Sequence, residues 1–420
     1  MNDASTTADA APMPGRRQWL FWACFIALVA TSFGFIIRAF TIGAWAAEFG
    51  LNETQKGEIQ AAGLWPFAIS IIGFSLIIDR VGYGKAMIFA FACHVGSALI
   101  TIFAPHHMDP YWALYLGQFV VALANGTVEA VINPVVATMF PKHKTKWLAI
   151  LHAGWPGGMV LAGLMLGAMG DADWSYKVAL IFIPTAIYGL MMFRRHFPKQ
   201  ERVTAGASYR DMCQEAGVFG MFIAVFLIVA ELMRIGSQMW PTLAGGEQTL
   251  YQLWNMAGNT LMIHGLNIAI TIALLIPFAI YVRGAIGNWL FIVILLLMLP
   301  LASTELSTDA WMPDLMEATM QKLFGVAGGW VLIYSASVMM VLRFFAGPLV
   351  KPLGPVGLLA VSAGAAGLGL ALLSIVDSAA LIFVVITIYA IGQTFFWPCM
   401  LGVVSERLPR GGALTINTVG

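Results

Sequence analysis

Long apolar runs separated by short polar segments cover the chain from residue 19 to residue 404. Twelve runs have the roughly twenty residues that a helix needs to cross a bilayer. None shows the period-two alternation of a membrane β-barrel, and backbone groups in lipid need internal partners, so the pattern predicts α-helices. The predicted spans are 19–42, 59–78, 86–104, 111–138, 147–169, 177–195, 217–236, 258–282, 288–310, 327–347, 355–375 and 379–404.

Composition agrees with a membrane protein. Of the 420 residues, 60% are hydrophobic and 10% are charged, and the mean hydropathy is +0.82. Soluble domains carry about a quarter charged residues. The net charge of +1 gives no general attraction to nucleic acid. The four cysteines are far apart, with no metal-ligand spacing, and no soluble catalytic motif is visible, so neither a cofactor nor a metal is expected.

The basic residues predict how the chain is oriented in the membrane. Arg16 and Arg17 precede a first run that is far longer than the apolar region of a signal peptide. With the N-terminus in the cytoplasm, sixteen Lys and Arg residues lie on the inner side and four on the outer side. We therefore expect a monomeric, multi-pass protein of the plasma or inner membrane, in contact with the lipid bilayer, with a cytoplasmic N-terminus.

A short charged segment occurs twice between apolar runs. SLIIDRVGYGK spans Ser75–Lys85, and GPLVKPLGPVG spans Gly347–Gly357. Each begins with a small residue, has a charge four positions later and a glycine three positions after that. A glycine permits a tight turn, and the charge can pair with a neighbouring helix, so both segments are candidate hinges. The candidate gating residues are Asp79, Arg80, Gly82 and Lys85 in the first copy and Gly347, Lys351 and Gly354 in the second.

The first copy resembles the cytoplasmic loop signature of the major facilitator superfamily. In that family the signature joins the second and third helices of one half, and a weaker copy joins the same helices of the other half. The sequence departs from it at Ser75, where the family usually has glycine, and at Tyr83, where a basic residue is common. The resemblance implies two pseudo-symmetric helical bundles that carry a small-molecule substrate, and the matches are Asp79, Arg80, Gly82 and Lys85.

The position of the second copy predicts the domain organisation. If it follows the second helix of the C-terminal half, that half begins near Asn288 and two helices before it are extra. A six-helix half would need two further spans, so we expect the chain to continue beyond Gly420. The predicted units are a cytoplasmic tail 1–16, an N-terminal six-helix bundle 17–197, a linker with two extra helices 198–287, and an incomplete C-terminal bundle 288–420.

The fourth span carries polar residues on one helical face. Asn125, Glu129 and Asn133 are spaced at i, i+4 and i+8. With Gly126 and Pro134 they resemble the fourth helix of the fucose/galactose/glucose–proton symporter branch, in which the Glu contributes to substrate binding and proton coupling. The alternative is that these residues only hold helices together by hydrogen bonds.

Other polar residues in the spans allow two interpretations each. That symporter branch has an acid in its first helix, where this chain has Arg38, which is either an anchor near the outer face or a partner of Glu129 or of an anionic substrate group. His152 and Trp155 in the fifth span are candidate substrate ligands, with His152 a proton relay or a packing residue.

The C-terminal half carries its own polar positions. Glu305 and Asp309 share a helical face and either meet Arg38 or form a solvated helix end. Gln393 and Trp397 suit a sugar-like ring, since an indole stacks and an amide bonds hydroxyls. Arg343 stands near the cytoplasmic end of its span, where a snorkelling role is expected.

Three functions remain open. The favoured one is a secondary active transporter that moves a small polar solute, sugar-like or another metabolite, together with protons by alternating access. The second is a drug or metabolite exporter of the same superfamily, whose fourteen-span members also carry two central extra helices. The third, a membrane-embedded enzyme or receptor, is disfavoured by the repeated hinge and by the lack of a catalytic motif.

Overall fold

The computed structural model describes residues 14–243, 260–376 and 379–420, and this part of the chain is helical without strands. Most of the predicted tail (1–13) and part of the predicted linker (244–259) lie outside the described residues. The helices are α1 Pro14–Phe49, α2 Glu53–Ala62, α3 Trp65–Val81, α4 Tyr83–Phe103, α5 Pro110–Met139, α6 Lys144–His152, α7 Gly154–Met169, α8 Trp174–Ala179, α9 Phe182–Met192, α10 Glu201–Thr204, α11 Tyr209–Leu243, α12 Thr260–Tyr281, α13 Trp289–Phe324, α14 Gly329–Phe344, α15 Ala346–Leu373, α16 Ala379–Gln393, α17 Phe396–Arg407 and α18 Gly412–Val419.

The prediction of an all-α, multi-pass membrane protein is confirmed. Eleven segments of the described residues are helical, long and apolar enough to cross a membrane. α14 is also apolar but has 16 residues. Several spans consist of two consecutive helices with a break between them, among them α6 with α7 and α16 with α17.

Polar residues next to the apolar runs fix where several helices begin. The Asn52 side chain accepts a hydrogen bond from the Gln55 backbone N–H, at 2.9 Å, and Gln55 completes a capping box. Asp109 caps α5 by accepting from the Trp112 N–H at 3.1 Å. Asn288 caps α13 in the same way through the Leu290 N–H at 2.9 Å. Each cap gives a partner to a backbone donor that the first helical turn leaves free.

α5 lies at the centre of the first bundle. It packs against α1, α3 and α4, and 83% of its membrane-crossing stretch is buried. α1 completes this bundle by packing against α7 and α9. The polar face of α5 is therefore enclosed by other helices, so its side chains need partners within the protein.

Several helices after residue 288 pack against the first bundle. α14 packs against α7, and α18 packs against α3 and α5. α17 also contacts α6. α11 and α12 pack on each other, and α11 reaches α13 and α18. Residues of α6, α14 and α17 therefore face one another across the contact between the first bundle and the later helices.

The two hinge segments share a backbone conformation. Gly82 joins α3 to α4 with φ 83° and ψ 148°, and Gly354 interrupts α15 with φ 66° and ψ 168°. This region of φ and ψ is essentially restricted to glycine, which explains why both copies keep one at this position. The second segment differs from the sequence prediction of a loop between two spans: residues 346–353 are helical, and the chain bends only at Gly354.

Candidate functional site

A chain of hydrogen bonds begins on the buried face of α5. The Asn133 side-chain amide donates to the Glu129 carboxylate, with an Nδ2–Oε2 distance of 2.7 Å. The Asn133 carbonyl oxygen lies 3.0 Å from His152 Nε2. Because that oxygen can only accept, His152 Nε2 donates. Asn133 thus links the Glu129 carboxylate, four residues earlier on the same helix, to the histidine at the end of α6.

Arg343, at the end of α14, continues this chain to the later helices. Its Nη1 donates to the His152 backbone oxygen at 2.7 Å, and its Nε donates to the Thr394 backbone oxygen at 2.8 Å. Its Nη2 lies 3.6 Å from Glu305 Oε1. The side chain is only 1% exposed. Arg343 therefore does not snorkel, as the sequence suggested, but joins α6, α13 and the break between α16 and α17.

Two prolines explain why backbone oxygens at the breaks between helices are available to Arg343. The carbonyl of His152 would normally accept from residue 156, and that of Thr394 from residue 398. Both positions are proline, which has no N–H to donate. The oxygens are therefore free for the guanidinium, whose planar fork can reach several acceptors at once. The sequence analysis missed the central role of Arg343, and Pro156 and Pro398 are the signal that could have indicated its acceptors.

Glu305 and Asp309 lie inside α13 and are 3% and 7% exposed. The expectation of a solvated helix end is wrong, because α13 continues to Phe324 and carries both carboxyl groups in its middle. Gln393 donates to Asp309 Oδ1 at 3.3 Å and lies 3.2 Å from Ser335 Oγ. The Trp397 side chain lies near the Glu305 carboxyl group.

Three buried polar atoms of this cluster have no hydrogen-bond partner. They are Glu305 Oε2, Arg343 Nη2 and Gln393 Oε1. One is a donor and the other two are acceptors, provided that Glu305 is ionised. Burying a polar atom without a partner costs about 1–3 kcal/mol, so such atoms need an explanation in a folded protein. They lie close to Asp309 and Trp397, so the unsatisfied atoms belong to one buried polar cluster.

Arg38 lies apart from this cluster. Its Nε donates to the Gln60 side chain at 2.8 Å, and its guanidinium stands 5.4 Å from the centre of the Phe35 ring. No ion pair joins it to Glu129, Glu305 or Asp309 within the described residues, so the pairings considered from the sequence are wrong. The cation beside these carboxyl groups is Arg343.

Asn125 belongs to a second polar group in the first bundle. Its side-chain oxygen lies 2.9 Å from His94 Nε2, and His94 Nδ1 lies 2.9 Å from the Tyr188 hydroxyl. All three side chains are buried. Trp155 is partly buried and its ring packs at 5.6 Å from the ring of Phe35. Asn125 thus connects α4, α5 and α9, whereas Glu129 and Asn133 face α6.

At the hinge side of the first bundle, Asp79 forms an ion pair with Arg202 of α10. Arg202 also donates to the Ala207 backbone oxygen at 2.5 Å and is 7% exposed. The Tyr209 hydroxyl donates to the Leu76 backbone oxygen at 2.9 Å. The segment after α9 is thereby tied to the first hinge.

The other candidate gating residues make fewer contacts. Arg80, Lys85 and Lys351 are exposed, and Gly347 lies against the Lys146 side chain.

The same side carries direct contacts between the first bundle and the later helices. Lys144 donates to the Ser405 backbone oxygen at 2.6 Å and pairs with Glu201. The Thr145 hydroxyl donates to Glu406 at 2.7 Å. Asn417 of α18 donates to Ser75 Oγ at 2.8 Å and to the Ala130 backbone oxygen at 3.1 Å, and Ala130 is four residues before Pro134. These contacts join α3, α5 and α6 to α17 and α18.

The family model described as the Major Facilitator Superfamily matches residues 22–420. Among curated proteins, the gentisate transporter of Corynebacterium glutamicum is 22% identical over 49% of this chain and 46% of its own length. The cis,cis-muconate transport protein of Acinetobacter baylyi is 23% identical over 43% of each. The probable chloroplastic anion transporter 4 of Arabidopsis thaliana is 30% identical over 34% of this chain and 26% of its own length. The matches thus span less than half the length of these curated relatives.

Solved structures share the fold over nearly the whole chain. A structure of the proton:xylose symporter XylE has a TM-score of 0.62 at 16% identity, covering 96% of this chain and 86% of its own. The fucose:proton symporter FucP of E. coli has a TM-score of 0.55 at 14% identity, covering 94% and 88%. At such identities the likeness concerns the fold alone. The matching family and folds are those of membrane transporters rather than of enzymes.

Proposed function

Because the chain belongs to the major facilitator superfamily, we propose that it is a secondary active transporter that moves a small polar solute across the cell membrane together with protons. The observation that carries the proposal is the buried polar chain from Glu129 through Asn133, His152 and Arg343 to Glu305. It joins the first bundle to the later helices, which is where such transporters place their substrate.

The charge balance of this chain supports coupling to protons. Glu129, Glu305 and Asp309 are three buried carboxyl groups, and Arg343 is the one cation of the described residues that lies among them. A buried charge is costly unless it has a partner. One guanidinium cannot balance three carboxylates, so protons are the natural neutralising species. Movement of α14, which carries Arg343, would change which carboxyl group this arginine neutralises.

The unpartnered atoms favour a solute that carries hydroxyl groups. Arg343 Nη2 needs an acceptor, whereas Gln393 Oε1 and an ionised Glu305 Oε2 need donors. A hydroxyl group can serve both needs, and a carboxylate can serve only the arginine. Trp397 beside them offers an apolar face to a ring. Sugars and hydroxylated aromatic acids both fit this pattern. The xylose, fucose and gentisate named for three similar proteins carry hydroxyl groups, whereas the cis,cis-muconate named for a fourth has only carboxylates as polar groups.

The placement of the contacts supports a mechanism of alternating access. In our proposal residues 17–197 and 288–420 are the two moving bundles, and 198–287 is a linker that carries α11 and α12. The hinge side is closed by the contacts of Lys144, Thr145 and Asn417, and the positive-inside pattern places that side and the N-terminus in the cytoplasm. Opening this side requires these hydrogen bonds to break.

The proposal is tested by reconstituting the full chain into liposomes with an imposed pH gradient. Labelled sugars, polyols, hydroxybenzoates and aliphatic dicarboxylates are offered one class at a time. We expect a hydroxyl-bearing solute to accumulate on the alkaline side of the membrane, because protons and solute enter together. Accumulation on the acidic side would instead indicate an exporter that exchanges solute for protons. The absence of both gradient-driven flux and exchange for every class would contradict the proposal.

Asp79→Asn is expected to slow transport about fivefold while the protein remains folded and expressed. The substitution weakens the ion pair with Arg202, and a loss of roughly 1 kcal/mol at a gate changes an equilibrium about fivefold. Gly82→Val should slow transport as well, since valine does not adopt φ 83° without strain. The measurement is the initial rate of uptake per folded protein. Asp171→Asn, at an exposed turn, is the control, and unaltered rates in both hinge variants would exclude a gating role.

A further inference from the structure

A cavity of about 710 Å³ lies between α4 and α9, and no residue of the polar cluster around Arg343 lines it. Its volume falls within the roughly 300–1,000 Å³ of sites for small molecules. The walls are almost entirely apolar and include Met87, Ile88, Phe91, Leu190, Phe193 and Phe197. None of these residues belongs to the hydrogen-bonded chain around Arg343, so the cavity needs an explanation of its own.

The cavity opens on the outer surface of the helical bundle. Ile88 and Leu190 are 69% and 79% exposed. Only 39% of the span that contains α4 and 33% of the span that contains α9 is buried. In a membrane-spanning protein such exposed apolar side chains face acyl chains rather than water. The cavity is therefore a groove that is open to the lipid.

Three cations line the groove at one end. Lys85 lies in the first turn of α4, and Arg194 and Arg195 follow the end of α9. None of them forms an ion pair with a described residue. The Arg194 guanidinium stands 5.1 Å from the centre of the Phe193 ring, and that of Arg195 stands 5.5 Å from the Trp19 ring. Stacking of this kind holds a guanidinium in place and leaves its N–H groups free to donate.

The backbone at this end has an unusual conformation. Arg194 has φ 54°, which a residue other than glycine adopts infrequently. The Trp19 indole N–H donates to the Met191 backbone oxygen at 2.9 Å, and the Arg195 N–H donates to Met192 at 3.0 Å. The end of α9 is thus fixed by α1, and the two arginines are held beside the mouth of the groove. Tryptophan and arginine at the end of a span are typical of the interface between lipid and water.

We propose that this groove binds an anionic glycerophospholipid of the surrounding leaflet. An acyl chain lies along Ile88, Phe91 and Leu190, and the phosphate accepts hydrogen bonds from Lys85, Arg194 and Arg195. The pattern of a long apolar wall with unpaired cations at one end complements an amphiphile with a negative headgroup. A zwitterionic headgroup would also bring its own positive charge close to these three cations, so it should bind less favourably than an anionic headgroup.

The test uses the full chain, purified in a neutral detergent and freed of lipid. Phosphatidylglycerol and phosphatidylcholine with identical acyl chains are titrated, and binding is followed by native mass spectrometry and by the thermal midpoint of unfolding. We expect one phosphatidylglycerol to bind and to raise the midpoint, with clearly weaker binding of phosphatidylcholine. Equal affinity for the two lipids in the unmodified protein would overturn the proposal without the use of any variant.

Two variants locate the binding site. Arg194→Gln/Arg195→Gln should weaken phosphatidylglycerol binding about 30-fold, since each basic residue near an anionic headgroup contributes about fivefold. Ala186→Trp, at an exposed position in the groove wall, should prevent binding of either lipid by filling the space for the acyl chain. Lys142→Gln/Arg407→Gln removes two exposed cations that do not line the groove and should bind as the unmodified protein does. Unchanged binding in the first two variants would show that the lipid lies elsewhere.

Discussion

Glu129→Gln is expected to abolish the accumulation of solute that a pH gradient drives, while exchange of solute between equal concentrations remains measurable. A glutamine has the shape of a protonated glutamate and can still accept the hydrogen bond that Asn133 donates at 2.7 Å. The links from Asn133 to His152 and onward to Arg343 can therefore persist. Only the exchangeable proton is lost, so the bundles can still move but no longer respond to the gradient.

The measurement compares two assays on the same liposomes. One records the accumulation ratio under an imposed pH gradient, which should fall to about one. The other records counterflow of labelled solute at equal pH. Glu231→Gln is a matched control, because Glu231 is also within a membrane span but pairs with Arg234 on α11, at 2.5 Å, outside the polar chain. A Glu129→Gln protein that still concentrates solute would show that Glu129 is structural, and Glu305 and Asp309 would be tested next.

The sequence predicted the helices well because the membrane imposes one strong rule on them. Each of the twelve apolar runs corresponds to a helix or to two consecutive helices, since no other structure satisfies the backbone in lipid. The boundaries were less well predicted. α13 continues to Phe324 although its apolar run ends much earlier, because helices with polar ends can extend beyond the bilayer. That extension is what moves Glu305 and Asp309 from a predicted helix end into the interior.

The sequence predicted hydrogen-bond partners that lie on the same helix, and it missed partners that lie on different helices and meet only through packing. The spacing of Glu129 and Asn133 predicts a shared face, and the two side chains are hydrogen-bonded. Asn125 has the same spacing but lies on the part of the face that meets α4, where His94 is its partner. A helical face is wide enough to border two neighbours, so spacing alone does not assign a partner.

The two arginines within spans illustrate the same limit. Arg38 and Gln60 are 22 residues apart and meet through the packing of α1 with α2. Arg343 and His152 are 191 residues apart, and their contact depends on the approach of α14 to α6. Hydropathy places both arginines near the ends of apolar runs and cannot distinguish them. The free carbonyls behind Pro156 and Pro398 do distinguish them, but only once it is known which helices are neighbours.

Arg343→Gln is expected to cause the largest loss of stability of any substitution in the cluster, together with a loss of transport. The substitution leaves Glu305 without its cation and weakens the hydrogen bonds to the His152 and Thr394 backbone oxygens. These oxygens have no other donor in the helix, because the residues four positions later, Pro156 and Pro398, have no N–H. Removing one member of a buried ion pair costs about 3–5 kcal/mol. Arg343→Lys keeps the charge but has no planar fork, so it should fold better and still transport about tenfold more slowly.

Two comparisons separate the role of Arg343 in folding from its role in transport. Arg410 lies 3.6 Å from Asp211, the same distance that separates Arg343 from Glu305, but its side chain is 62% exposed whereas that of Arg343 is 1% exposed. Arg410→Gln should therefore change the free energy of unfolding by less than about 1 kcal/mol. Arg343→Gln/Glu305→Gln removes both charges and should recover much of the thermal midpoint without recovering uptake, because the substrate contacts are gone. If Arg343→Gln unfolds no more readily than Arg410→Gln, or if the double variant transports normally, Arg343 does not hold the two bundles together through this cluster.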